Sequence, residues 1–552
     1  MEQSLNKLLE QSFKDNWDRA ALSDYKGITL YYRDVARRIE KLHIVFEICG
    51  VKKGDKISIC SKNQANWGVI FLSALTYGAV AVPILHEFKP GNIHHIVNHS
   101  DSRILFVGDV IWEQLSETEM PNLEAVIQIH DFAILYAKDP IVKSTREHLN
   151  ELFGKKYPKN FRSEHINYHI DDSEELSMIN YTSGTTGFSK GVMIPYRALL
   201  SNIFFAKEVQ PHINNSSNVV AMLPTAHMYG MMFEFLFEMT VGAHVHFLTR
   251  IPSPKIILDA FAEIKPDIVI SVPLIIEKIY KKRLQPIINK KSIRVLLKLP
   301  VIDQRIQKRI QKELINTFGG KFYEVIIGGA AFNREAESFF RKIGFPFTVG
   351  YGMTECAPII TYAPWNNTRL FSCGKVAPRM ELMIDSQDPE NEAGEILCKG
   401  ANVMLGYYKN PEATEQVLTS DGWLKTGDMG VIDKDGYLYI KGRSKSMILG
   451  PSGQNIYTEE IESIFNNMPY VSESLVVEKG NGLAVLIYPD LELIEKDGLT
   501  ADATNTKMIE IVDMVNNELP NYSKIQSFEI IPEEFEKTPK RSIKRYLYQR
   551  SE

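Results

Sequence analysis

Short apolar runs alternate with stretches of helical period along most of this chain, and that alternation limits the fold more than any other feature. Lys56–Cys60 reads as a strand, Gln64–Tyr77 as a helix and Ala79–Pro83 as a strand again. The pattern returns further on. Asp267–Val272 is a run of β-formers, and the apolar stretch Ile268–Ile276 reads as buried strand although it contains Pro273. Tyr323–Ile327 reads as a strand ending at Gly328-Gly329, Asn333 is placed to cap a helix reaching Ile343, and Pro346–Tyr351 is extended. Strand–helix–strand at this spacing predicts parallel sheets covered by helices, an α/β fold. At 552 residues the chain is too long for one compact core.

From about Ala393 the texture changes. Short strands alternate with the turn signals Asp421-Gly422, Asp435-Gly436 and Gly480-Asn481-Gly482, which predicts an antiparallel meander. Tyr457–Met468 then reads as a helix, with Thr458 as N-cap and Glu459-Glu460 in its first turn. Another helix is expected near Asn505–Leu519. A boundary close to Gly442–Lys445 would divide a large N-terminal part, 1–442, from a C-terminal part, 446–552, of about 110 residues.

The net charge of −5 gives no support to a nucleic-acid surface. The basic runs Lys281-Lys282-Arg283 and Lys290–Arg294 read as solvated faces. Five cysteines without a CxxC pair fit a reducing compartment and argue against a zinc site or disulfide scaffold. Met1–Asp18 is polar and charged, unlike a secretory leader, and no apolar run reaches the ~18 residues of a membrane span. A cytoplasmic location is expected, with peripheral membrane contact left open.

The most informative stretch is Tyr181-Thr182-Ser183-Gly184-Thr185-Thr186-Gly187-Phe188-Ser189-Lys190-Gly191, between the apolar segments Leu176–Asn180 and Val192–Ile194. Its glycines allow tight turns that point N–H groups inward, its hydroxyls add donors, and Lys190 adds a positive charge, so it suits a polyphosphate. A P-loop needs an adjacent Gly-Lys, whereas two residues separate Gly187 from Lys190. On this stretch alone a Ser/Thr/Gly surface loop remains the other reading.

The stretch resembles the signature phosphate loop of the adenylate-forming acyl-CoA synthetases, luciferases and peptide-synthetase adenylation domains. Tyr351-Gly352-Met353-Thr354-Glu355 looks like the second core motif of that family, Thr426-Gly427-Asp428 like the third, and Gly442-Arg443-Ser444-Lys445 like its hinge. Gly450-Pro451-Ser452-Gly453-Gln454-Asn455-Ile456-Tyr457 follows as in the family, and Met447–Tyr457 looks closest to its long-chain fatty acid branch. The resemblance covers roughly Asp24 to Arg545. It implies a large domain of sheets and helices with a β-barrel-like subdomain, and a small mobile α+β domain hinged at 443–445.

The implied reaction couples a carboxylic acid, of medium or long chain, to AMP and then to coenzyme A, using ATP and Mg²⁺. Such chemistry needs cations and N–H donors to hold accumulating charge more than it needs a protein nucleophile. The resemblance assigns Thr182, Ser183, Gly184, Thr185, Thr186, Gly187 and Lys190 to the β- and γ-phosphates. It gives Thr354 to the α-phosphate and Glu355 to Mg²⁺, a hard oxygen ligand for a hard cation. Asp428 and Arg443 would grip the ribose, Tyr351, Gly329, Ala330 and Ala331 would form the adenine slot, and Gly352 would also bind ATP. His227, in Leu223-Pro224-Thr225-Ala226-His227-Met228-Tyr229-Gly230, would border the acyl pocket together with Met228, Tyr229 and Gly230. Met228–Met239 holds four methionines, three phenylalanines and a tyrosine, which suits either an acyl tunnel or a plain buried helix. Lys445 would be the hinge, and Gly450, Ser452 and Gly453 would line a coenzyme A channel.

One departure stands out. The family's C-terminal motif carries a lysine that contacts the α-phosphate and the carboxylate. Aligned on Thr538-Pro539 and Arg545, Lys537-Thr538-Pro539-Lys540-Arg541-Ser542-Ile543-Lys544-Arg545 holds Ser542 there. Lys540 or Lys544 could substitute, the first half-reaction could be slow, or the protein could bind nucleotide and acid without turnover. An acyl carrier protein as acceptor is a further alternative.

Overall fold

The computed structural model describes residues 3–182, 189–250, 253–280, 300–449, 455–480, 482–538 and 543–548. Its largest sheet has eight strands, in the order Gly406–Tyr407, Lys190–Pro195, Leu176–Thr182, Val80–Ile84, Lys56–Cys60, Ser102–Val107, Ala125–Gln128, Ile134–Ala137. The central strands run parallel and both edges are antiparallel. Leu176–Thr182 and Lys190–Pro195 must be antiparallel, because Thr182 pairs with Lys190 and the connection is too short for a helical crossover. Val80–Ile84 is buried at every position, which explains a continuous apolar run in place of alternation. The Ala65–Tyr77 helix stops at Gly78, whose φ of +83° is the left-handed ending that glycine takes without strain.

A second sheet joins Asn218–Ala221, His244–Phe247, Ala20–Asp24 and Thr29–Tyr31, and a third runs parallel through Val269–Ser271, Val325–Ile327 and Phe347–Val349. The expectation of continuous strand over Ile268–Ile276 fails. The strand ends at Ser271, and Pro273 opens a helix, Pro273–Ile279, where its missing N–H costs nothing. Asn333 does cap the next helix, Arg334–Lys342, accepting from Ala336 N at 2.9 Å. The basic runs 281–283 and 290–294 lie outside the described residues.

The expected meander is a four-stranded antiparallel sheet, Met380–Asp385, Gly394–Gly400, Leu424–Ile432 and Leu438–Arg443, beside a three-stranded one, Tyr351–Gly352, Ile359–Tyr362 and Lys375–Val376. After the Ser444–Ser446 turn, a separate buried cluster that includes Phe465, Val485 and Val515 builds the C-terminal domain. There Val471–Lys479 and Gly482–Pro489 form a hairpin, and Ile525–Ile530 joins parallel to its second strand. Asn481 lies outside the described residues; Lys479 and Gly482, on either side of the expected turn, are paired.

Thr458 is not an N-cap. The helix is Thr458–Phe465, shorter than expected, and the Thr458 hydroxyl donates to Ser446 O at 3.1 Å, fastening the helix to the turn after Arg443. The last long helix, Ala501–Glu518, is capped by Thr500 on Ala503 N at 3.3 Å.

Candidate active site

Of the residues expected at the site, Ser183, Gly184, Thr185, Thr186, Gly187, Gly450, Ser452, Gly453 and Ser542 lie outside the described residues, as does Lys540. The flanks of the phosphate loop are described. Thr182 ends one strand and Lys190 begins its antiparallel neighbour, so the described flanks meet at the C-terminal end of Leu176–Thr182. That end is where α/β sheets place their ligands.

Lys190 Nζ lies 4.8 Å from the centroid of the Tyr407 ring, a cation–π distance. The Tyr407 hydroxyl donates to Glu355 Oε1 at 2.9 Å. One aromatic side chain therefore joins the candidate phosphate cation to the candidate metal ligand. It can do so because Gly406–Tyr407 pairs with Val192 and Met193 on the outer side of the loop strand. Sequence reasoning missed Tyr407; the only signal was its place in Leu405-Gly406-Tyr407-Tyr408, far along the chain from both partners.

Thr354 and Glu355 sit in one tight turn, Thr354–Cys356, and both are buried. The turn is closed by Met353 N donating to Pro358 O at 2.9 Å. A Cβ at Gly352 would lie 2.2 Å from Pro358 O, so this close approach requires glycine. The Tyr351 hydroxyl donates to Asp428 Oδ2 at 2.7 Å. Asp428 and Arg443 are directly opposed on neighbouring strands, with Arg443 Nε 3.2 Å from Asp428 Oδ1. Burial raises the Asp428 carboxyl, and Arg443 and the Tyr351 hydroxyl pull against it. The guanidinium itself is exposed, so this grouping presents an acceptor and a donor side by side.

His227 ends a segment held by several buried groups. Asn63 Nδ2 donates to Leu223 O at 2.7 Å, Asn180 Nδ2 to Ala226 O at 3.0 Å, and Leu223 N to Glu234 Oε2 at 2.9 Å. His227 Nδ1 accepts from Tyr229 N at 3.3 Å, which leaves the ring proton on Nε2. Gly328 backs onto Tyr229, where a Cβ would come within 3.2 Å of the ring, and Gly329 turns with φ +86° before exposed Ala330 and Ala331.

His227, Tyr229, Gly328, Gly329, Tyr351, Gly352 and Thr354 border one cavity that is partly open to solvent. Gly329, Tyr351, Gly352 and Thr354 lie on its strand-end side, with His227, Met228 and Tyr229 also on its wall. Its other walls combine helical residues, including Phe205 and Val209 of Tyr196–Val209, with strand residues such as Ile270, Ile326 and Ile359. The Met228–Met239 stretch is wholly core and wall at once. It is helical but carries a wider π-helical turn, Met232–Leu236, which presents Phe233 to the cavity while Met231, Met232 and Phe235 stay fully buried.

The family description "AMP-binding enzyme" matches residues 9–408, and "AMP-binding enzyme C-terminal domain" matches 445–550. The chain belongs to the AMP-binding enzyme family. Among curated relatives, the long-chain-fatty-acid–CoA ligase FadD15 of Mycobacterium bovis is 27% identical over 90% of this chain and 86% of its own. Among solved structures, the anthranilate CoA ligase AuaEII in complex with anthranoyl-AMP superposes with a TM-score of 0.79 at 19% identity, covering 99% of this chain and 96% of that one. The o-succinylbenzoate coenzyme A synthetase MenE of Bacillus subtilis, in complex with ATP and magnesium ion, gives 0.74 at 20% identity, covering 98% of each chain.

In this AMP-binding enzyme, no three His, Cys, Asp or Glu side chains gather as a metal cage among the described residues. A cation at Glu355 would complete its shell with water and phosphate oxygens, the habit of Mg²⁺. No helix among the described residues is long and apolar enough to cross a membrane. Lys544, one candidate substitute for the missing lysine, pairs with Glu536 at 2.8 Å, and Arg545 is held by Glu462, with Nη1 2.8 Å from Oε1. Lys445 is exposed in the turn that links the last strand of the large domain to the small one.

Proposed function

We propose that this chain activates a medium- or long-chain carboxylic acid with ATP as its acyl-adenylate, releasing pyrophosphate, and passes the acyl group to coenzyme A, releasing AMP. The reading rests on one cavity lined both by Tyr351, Thr354 and Gly329 and by an aromatic, apolar set that includes Phe205, Phe233 and Phe237. A carboxylate placed near His227 and Thr354 would have its oxygen beside the α-phosphate and its chain among that set.

In this reading, Thr182, Lys190 and the loop 183–187 hold the β- and γ-phosphates, and Thr354 donates to the α-phosphate. Glu355 holds Mg²⁺, whose role is to neutralise phosphate charge. Asp428 and Arg443 take the ribose hydroxyls, and Tyr351 with Gly329, Ala330 and Ala331 takes adenine. His227, Met228, Tyr229 and Gly230 border the acyl chain. The domains divide at 442/446, Lys445 is the pivot, and Gly450, Ser452 and Gly453 line the path of the thiol after rotation. The name of the mycobacterial relative supports a fatty acid, whereas the anthranilate ligase keeps aromatic acids in the test.

The test is incubation of the full chain with ATP, Mg²⁺, coenzyme A and acids from acetate to long-chain and aromatic, with AMP, ADP and acyl-CoA quantified together. Equal AMP and acyl-CoA is the expected result. AMP without acyl-CoA would redirect the acceptor to a carrier protein. No AMP with any acid would sink the reading. The pairing of Lys544 with Glu536 favours a second reading, weak adenylation for want of a lysine at Ser542; Ser542→Lys would then raise AMP formation.

A further inference from the structure

The helical side of the cavity holds polar atoms that a plain hydrocarbon chain would leave unanswered. Glu238 is 1% exposed and lines the cavity, and its carboxyl oxygens find no partner beyond the N–H of their own residue. Gln210, which ends the Tyr196–Val209 helix, lines it too. Gln210 Nε2 donates to Glu324 Oε1 and, at 3.1 Å, to the Tyr362 hydroxyl, so the amide is fixed with Oε1 left over; that oxygen is also buried and unpartnered. Three buried, unpartnered oxygens thus belong to two residues of a chamber wall that also includes Phe205, Val209, Phe233 and Phe237.

Internal demand does not account for them. Glu234, one turn before Glu238, uses a carboxyl oxygen to hold Leu223 N at 2.9 Å. The buried Tyr32 hydroxyl donates to Ala243 O at 2.9 Å instead. Native interiors pair nearly all their buried polar groups, so unpaired acceptors on a ligand cavity mark where a ligand donor goes.

We propose that the acid this enzyme activates bears an O–H or N–H donor on its chain or ring, received by Glu238 and Gln210. The proposal rests on the acid-activating reading of the same cavity and narrows its substrate class from plain alkanoates to hydroxy- or amino-substituted acids. A hydroxyl donates to Gln210 Oε1 or the Glu238 carboxyl. An ammonium group would do the same and, on release of the Glu238 proton to solvent, form an ion pair with the carboxylate.

The test uses the full chain and matched acids. Alkanoates from hexanoate to hexadecanoate are compared with their ω-hydroxy, mid-chain hydroxy and ω-amino forms, and phenylpropanoate with its hydroxyphenyl and aminophenyl forms. The readout is kcat/KM for AMP release. The expected result is a preference for a donor-bearing acid over its plain partner on the order of 10- to 100-fold. Glu238→Leu abolishes or reverses that ratio, and Glu238→Gln keeps part of it. Because it removes an unpaired carboxyl, Glu238→Leu melts no lower than the parent. AMP formation that favours plain acids, with a ratio unmoved by Glu238→Leu, overturns this inference and leaves the ligase reading standing. No AMP from any acid overturns the ligase reading, and the same pairs are then read by thermal shift. A larger shift with the donor-bearing acid, lost in Glu238→Leu, supports the inference, and equal shifts overturn it.

Discussion

At the scale of single residues, the candidate site depends on side chains that serve two neighbours at once. Tyr407 faces Lys190 with its ring and Glu355 with its hydroxyl. Tyr407→Phe keeps the first contact and loses the second. The expected outcome is a fall of about tenfold in AMP formation, the worth of one hydrogen bond to a charged group, and Tyr407→Leu falls further with a higher KM for ATP. Glu238 supplies a pH signature. Burial pushes its carboxyl up to about 8 from an ordinary 4.5, so the folded chain binds this proton more tightly than the unfolded chain. Its contribution therefore favours folding fully below about 4.5 and is withdrawn as the pH climbs through about 8. Buried Glu234 is raised in the same sense, and ionised Glu238 adds to its shift. Melting temperature followed across that window should fall less steeply in Glu238→Gln than in the parent; parallel slopes would remove the residue from the account.

At the scale of elements, Gly352 tests the tight turn that carries Thr354 and Glu355. Gly352→Ala forces a Cβ into Pro358 O and should cost about 1–3 kcal/mol in urea unfolding, with AMP formation lost before stability is. The same turn shows what the sequence made legible. Motif spacing placed Tyr351, Thr354 and Glu355 on one short stretch, and the strand–helix alternation placed Lys56–Cys60 and the Ala65–Tyr77 helix within a residue of their bounds. What stayed hidden was pairing between distant segments. Nothing local says that Gly406–Tyr407 pairs beside the loop strand, more than 200 residues earlier. Nor does anything local say that Glu238, within a Met- and Phe-rich run, faces a cavity while Glu234 faces the backbone of Leu223. The strand wrongly expected through Ile276 failed for a related reason: β-branched residues fit a buried helix as well as a strand, and only Pro273 marks the change.

At the scale of the whole molecule, the C-terminal segment is tied to its domain by Arg545, which meets Glu462, a carboxyl that burial raises to about 7 even against the pull of that arginine. Arg545→Ala leaves Glu462 buried without its cation and should destabilise the small domain by about 3 kcal/mol. All five tryptophans precede residue 424. The loss should therefore appear as an early urea transition in circular dichroism while the tryptophan fluorescence midpoint stays in place; a shared shift of both would mean that the two domains unfold as one unit.

Arg443 is the last residue of its strand, and the Ser444–Ser446 turn follows with none between. A nucleotide gripped by that guanidinium would tether the first residue of the pivot. Reciprocity then requires that torque on the pivot change the hold on the nucleotide by the same free energy. On the proposed function, such a chain would time its own product release, since a swing that admitted the thiol would also be the motion that loosened AMP.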